Sequence, residues 1–145
     1  MKVVILGCGR MGAMLAGRLF LSGNDVTIID QDATQFRRLS EDYHGKKVVG
    51  NGTEQDTLRR AGLGEADVFV AITQGDNRNI MASQIARVIF NVQRVYTRIK
   101  DPLRADCFSH AGLQTFCTTI LACDFVEGVI LNSESATPGA PVKGA

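Results

Sequence analysis

The chain has 145 residues, 45% of them hydrophobic and 21% charged, a balance that lets a single domain bury a core without disulfide staples. A formal net charge of +1, with the basic residues scattered, argues against a nucleic-acid partner. No apolar stretch approaches the roughly 18–20 residues of a membrane helix, and the chain opens on Lys2-Val3-Val4-Ile5-Leu6 without a signal-peptide pattern, so a cytoplasmic setting is expected.

Val3–Leu6 is short, β-branched and ended by Gly7, the pattern of a buried parallel strand. Met11, Met14, Leu15 and Leu19 then recur at helical spacing until Ser22-Gly23-Asn24. Val26–Ile29 is a second strand ending at Asp30. A polar helix is expected over 34–41, and a third strand at Lys47–Val49. Gly50-Asn51-Gly52-Thr53 breaks that strand, and Thr53 is placed to cap a helix that stops at Ala61-Gly62. Val68–Ile72 is the fourth strand. A longer helix over 77–90 should turn Ile80, Ile85, Val88 and Ile89 inward. Strand five spans Arg94–Lys100, a helix follows near 103–111, and strand six lies around Thr115–Thr118. The last helix is expected over 120–131, with Ile120, Leu121, Phe125, Val126, Val129 and Ile130 on one broad stripe. Residues 132–145 read as a linker or tail. Six strand–helix alternations predict a Rossmann-type doubly wound parallel sheet of six strands, with helices on both faces. The ligand crevice should lie where strand order reverses, at the carboxyl ends of strands one and four.

Gly7-Cys8-Gly9-Arg10-Met11-Gly12 is a G-x-G-x-x-G between a strand and a helix, with Asp30 lying 18 residues beyond Gly12. Gly7 allows the tight turn, Gly9 lets backbone N–H groups approach a pyrophosphate, and Gly12 lets helix and strand pack closely. The helix N-terminus faces the phosphates with its unpaired N–H groups. Asp30 suits two ribose hydroxyls and repels a 2′-phosphate, which favours NAD over NADP. Arg10 suits phosphate on this chain or a neighbouring subunit's ligand, and a solvated surface arginine is the bland alternative. Gly50–Thr53 and Thr73-Gln74-Gly75-Asp76 end strands beside the same crevice, although turn chemistry alone also accounts for them. His44 and His110 are isolated. Tyr96 and Lys100 form a Y-x-x-x-K that a strand would hold about 13 Å apart, too far to act as a catalytic pair. Cys8, Cys107, Cys117 and Cys123 form no C-x-x-C pair and are read as reduced thiols in core or turn positions.

The ordered motifs G-C-G-R-M-G, V-T-I-I-D, V-V-G-N-G-T, A-D-V-F-V-A-I-T and Y-T-R-I-K-D-P resemble the N-terminal lobe of RCK domains, also called TrkA-N or KTN. The resemblance covers about residues 1–131. It implies a non-enzymatic regulatory domain that binds NAD(H) or ATP/ADP and gates potassium uptake. It also implies a homodimer, paired through the last helix and built into a higher ring, at the inner face of the membrane beneath a potassium channel or transporter subunit. Carried over by position, Gly7, Cys8, Gly9, Arg10, Met11 and Gly12 form the phosphate loop and Asp30 the ribose acid. Asn51, Gly52 and Thr53 would lie near adenine, Thr73 and Gln74 along the ligand, and Arg98 within reach of the nucleotide. Asn51 stands where many members have Asp. The usual second lobe, RCK-C, does not follow, so the chain is expected to be an excised domain or to need a separate RCK-C-containing subunit. A small NAD-dependent oxidoreductase, or its cofactor domain, is the other reading; the absence of a recognisable catalytic acid or base speaks against it.

Overall fold

A computed structural model describes residues 1–131 of the chain; the expected tail at 132–145 lies outside the described residues. Six strands, β1 (Lys2–Leu6), β2 (Asp25–Asp30), β3 (Lys46–Val49), β4 (Val68–Ala71), β5 (Arg94–Arg98) and β6 (Gln114–Phe116), form one sheet in the order β3-β2-β1-β4-β5-β6. Every pairing is parallel. Central β1 has Ile5 in register with Ile28 on one side and Val70 on the other. The order reverses between β1 and β4, where the sequence places the switch point.

Successive side chains of a strand point to opposite faces, so β1 feeds two cores. Val3 and Ile5 join Val26, Ile28, Val68 and Val70 beneath Ala13 and Ala16 of helix α1 (Arg10–Leu21). Val4 and Leu6 join Ile29, Phe69 and Val95 on the other face. There they meet Leu58 of α2 (Gln55–Arg60) and Ala82 and Ala86 of α3 (Asp76–Val88). A third cluster, Ile80, Ile99, Ala105, Leu113 and Cys117, seats α4 (Pro102–His110), whose first turn is capped by the Asp101 carboxylate accepting from Arg104 N at 2.9 Å.

Four local expectations are corrected. Residues 33–38 form a 3-10 turn rather than a polar helix reaching residue 41. Asp32 accepts from Thr34 N at 2.9 Å and Gln35 Nε2 at 2.8 Å, and Phe36 and Leu39, three residues apart, both pack on the α1 core, a spacing that suits three residues per turn. Thr53 does not cap α2. Its N–H and hydroxyl both donate to Asn51 Oδ1, at 3.1 and 2.9 Å, and the N-cap position falls to Glu54. The inner face of α3 is Asn79, Ala82, Ser83 and Ala86, small residues that let the helix approach the sheet closely; Ile80 is buried, but Val88, on the opposite side of the helix from that face, is 82% exposed, and Ile89 is exposed too. Two of the cysteines, Cys107 and Cys123, are exposed rather than in the core; all four are free thiols.

Helix α5 (Thr118–Leu131) buries none of its residues, and Leu121, Phe125, Val126 and Val129 are among its exposed apolar side chains. Among the described residues, no helix is long and apolar enough to cross a membrane.

Candidate functional site

Parallel strands all end on one side, and there the β1–α1 turn, the β4–α3 turn and the ends of β2, β3 and β5 enclose a pocket of about 540 Å³. Its tightest part is the glycine loop. Gly7 has φ +108°, and a Cβ there would lie 3.0 Å from Thr73 N. A Cβ on Gly12 would lie 1.8 Å from the Gly7 carbonyl oxygen, so α1 reaches the strand only with hydrogen at that position. Gly9 differs: a Cβ there meets nothing within 4 Å, so its outer side opens into the pocket. Gly9 is also the N-cap of α1, with no capping side chain and no acid in the first turn. The helix therefore presents its leading N–H groups and positive dipole end unblocked, an arrangement suited to phosphate.

Asp30 closes the β2 side. Its Oδ2 accepts from Cys8 N at 2.7 Å and its Oδ1 from Asp32 N at 3.0 Å. A carboxylate has about four acceptor positions, so lone pairs remain for ribose hydroxyls. Asp32 is spent on the 3-10 turn, and its bonds from Gln35 and Thr34 hold its carboxyl below the usual range. Arg38, from the same turn, donates to Gln35 Oε1 at the pocket rim.

The opposite wall is built around Asn79, which is wholly buried. Its Oδ1 accepts from Thr73 N at 2.8 Å and Thr73 Oγ1 at 2.7 Å, while its Nδ2 donates to the carbonyls of Thr73 at 3.1 Å and Arg98 at 2.9 Å. One side chain thereby ties the end of β4 to the end of β5. Arg98 Nη2 donates to the Thr73 carbonyl at 2.6 Å, turning the guanidinium along the pocket wall.

Of the residues singled out in the sequence, Gly7, Gly9, Arg10, Met11, Gly12, Asp30, Gly52, Thr73, Gln74 and Arg98 line this pocket. Cys8, Asn51 and Thr53 do not. The Cys8 side chain is buried beneath the loop, with Sγ 3.5 Å from the Gln35 carbonyl, and burial, reinforced by Asp30, pushes its thiol up to about 11. Asn51 and Thr53 bond to each other and shape the β3–α2 turn, leaving Gly50 and Gly52 on the wall. Gln31, Gln35, Arg38 and Arg78 line the pocket without having been anticipated. For Gln31 and Arg78 a signal was available, since the residues that directly follow β2 and open α3 start at the crevice; Gln35 and Arg38 reach it only through the 3-10 turn. Tyr96 lies on β5 and Lys100 in the turn beyond it, not on a shared helix. His44 packs edge-on against Phe20, and His110 lies against Asp106; the described residues hold no metal-binding cluster.

A six-stranded parallel sheet with a glycine turn, a carboxylate ending β2 and a pocket at the switch point defines a Rossmann-type nucleotide-binding fold. The chain belongs to the TrkA-N domain family, whose model matches residues 3–119. It is 46% identical over 124 residues to the Trk system potassium uptake protein TrkA of Streptomyces coelicolor, a match covering 86% of this chain and 56% of that protein. The chain thus spans about half the length of that relative. The GsuK channel bound to NAD superposes with a TM-score of 0.79 at 24% identity, covering 93% of this chain and 24% of that one. The Kef C-terminal domain of Shewanella denitrificans in its AMP-bound form also gives 0.79, at 19% identity, covering 94% and 84%.

Proposed function

We propose that this chain is the nucleotide-sensing domain of a potassium uptake system, taking NAD(H) or ATP/ADP into the switch-point pocket without turning it over. The observation that carries this reading is the pairing of an uncapped α1 N-terminus with Asp30 across one pocket, a phosphate-suited end and a ribose-suited end. Kinship with Trk potassium uptake proteins and with nucleotide-bound structures supports both halves of the reading. In it, Gly7–Gly12 receive the pyrophosphate, Asp30 the ribose, and Gly52, Thr73, Gln74 and Arg98 the remaining contacts, while Cys8, Asn51 and Thr53 shape the loops.

The domain pairs with a second copy through α5, assembles toward a ring, and works in the cytoplasm against a membrane potassium transporter subunit. Nucleotide then acts by binding one arrangement of paired domains better than another, since only differential affinity shifts an equilibrium. Calorimetric titration of NAD⁺, NADH, ADP and ATP into the folded chain tests the reading. Micromolar binding of at least one, with no NADH oxidation in the presence of carbonyl substrates, is the expected result. A folded chain that binds none would overturn it.

A further inference from the structure

The turn between β4 and α3 is tied to the root of α5 through one peptide unit. Thr73 and Gln74 line the pocket, and Asp76 opens α3 two residues further on. Its carboxylate accepts from Lys100 N at 3.1 Å and from Asp101 N at 3.4 Å, in the turn that follows β5. Asn77 reaches the same region, where its Oδ1 accepts from Arg104 Nη2 at 2.5 Å. From the other side, the Lys100 carbonyl accepts from Cys117 Sγ at 3.2 Å and from Thr119 Oγ1 at 3.0 Å. Cys117 immediately precedes α5, Thr119 lies in its first turn, and the Cys117 carbonyl accepts from Leu121 N at 3.0 Å. The Asp101 N–H and the Lys100 carbonyl belong to one planar trans peptide, so α3 holds one end of a rigid plate and α5 the other.

We infer that Asp76 and Thr119 are positioning residues: the Lys100–Asp101 peptide between them carries the state of the nucleotide pocket to the direction of α5. The inference rests on the nucleotide-sensing reading and on pairing through α5, and it names the route between them. Neither residue lines the pocket, so their part is transmission and not ligand contact. Helix α5 buries none of its 14 residues, so packing along its length constrains it weakly and the ties at its root weigh most on where it points. At a rise of about 1.5 Å per residue, Val129 lies roughly 15 Å along the helix from Thr119, so a tilt of about 5° at the root moves it by roughly 1 Å. Hydrogen bonding at the N–H of a peptide also strengthens its carbonyl as an acceptor, so a change at Asp76 reaches Thr119 even before anything moves.

The test is the dimer dissociation constant from sedimentation equilibrium, measured without nucleotide, with saturating ATP and with saturating NADH. It is run on the full chain as wild type, Thr119→Val, Thr119→Ser and Asp76→Asn. In the wild type at least one nucleotide should shift the constant by about 5- to 150-fold, the usual range of coupling between sites. Thr119→Val, which lacks the hydroxyl, should cut that shift to under about twofold, while nucleotide affinity, titrated at dilutions where the chain is monomeric, stays within about twofold of wild type. Thr119→Ser, which restores the hydroxyl, should recover most of the shift. Asp76→Asn, which loses one of the two carboxylate acceptors, should diminish it. A wild-type constant indifferent to nucleotides that do bind, or a full shift retained in Thr119→Val, would overturn the inference while leaving nucleotide binding intact. A wild type that stays monomeric, or that binds neither nucleotide, would overturn it together with the reading beneath it. If Thr119→Val does not fold, Asp76→Asn decides: the shift must shrink there, and its full retention overturns the route.

Discussion

Asp30 joins two tasks in one carboxylate: it holds the glycine loop through Cys8 N, and it faces the pocket. Asp30→Ala should therefore weaken NADH binding by about 1–3 kcal/mol and also lower the melting temperature slightly, because a loop N–H loses its acceptor. Titration and thermal unfolding of the same sample separate the two effects; unchanged affinity would remove Asp30 from the site. Gly9 and Gly12 make a sharper pair. Gly9 has φ −72°, and a side chain there meets open space, so Gly9→Val should fold normally yet lose all nucleotide affinity. Gly12→Val should fail to fold properly, since its Cβ alone collides with the Gly7 carbonyl. Circular dichroism beside titration distinguishes a blocked pocket from a broken turn. Cys8 sets a pH signature. Folding raises its thiol from 9.0 to about 11, so the folded state holds its proton more tightly; that contribution to stability is complete below pH 9 and is lost as pH climbs toward 11. Melting curves at pH 8 and pH 10.5 should show a larger drop for the wild type than for Cys8→Ala. Gly7 and Gly12 were legible in the sequence because a tight turn and a close helix approach leave no room for a Cβ. The directions of Cys8 and Asn51 were not, because they depend on Gln35 and Thr53, partners that only the folded loops bring near.

At the scale of elements, strands were the easiest to read, since runs such as Val68–Ala71 are apolar on both faces and admit few alternatives. The segment after β2 misled because its helix formers are overruled by Asp32 capping a tighter turn, and with that turn went the chance to foresee Arg38 and Gln35 on the pocket wall. The inner face of α3 misled for another reason. Larger apolar residues looked like the core stripe, but the sheet is approached through Ala82, Ser83 and Ala86, with Thr97 Oγ1 donating to Ser83 Oγ at 2.7 Å. Asn79 lies on that same face and binds two strands' ends. Asn79→Ala would strand Thr73 N and the Arg98 carbonyl in the interior, at about 1–3 kcal/mol for each group left unsatisfied. Denaturant unfolding should record that loss. Asn79→Asp, which keeps the acceptors but loses the donors to two carbonyls, should also destabilise.

For the whole molecule, the parallel order and its switch point followed from the alternation of elements alone, but the fate of α5 did not. Its stripe suits an inner or an outer surface equally well on paper. In the fold, Phe125 is 52% and Val129 42% exposed, so the stripe is left largely uncovered by the described residues. An apolar surface of this kind favours association. Light scattering at tens of micromolar should give a dimer mass, and Phe125→Glu with Val129→Glu should give a folded monomer that still binds nucleotide, because the pocket takes no residue from α5. A monomeric wild type would contradict the pairing, and an unfolded double variant would return the helix to its own core.

The place of β1 at the centre of the sheet has a consequence for how the chain is made. Within this domain β1 precedes both of its neighbours in the chain: β2, where Lys2 meets Asp25, follows soon, yet the other edge must wait for Val68–Ala71. During that interval a strand with four buried apolar residues carries an open edge, the condition under which nascent chains pair wrongly with one another. Closing so wide a loop costs entropy before any contact repays it, so folding should be slow and should turn on the arrival of β4. The pocket is completed by the same event, because Thr73 follows β4 directly. A nucleotide present during synthesis would thus bind as the edge closes, and would draw the newborn chain toward its native pairing by mass action.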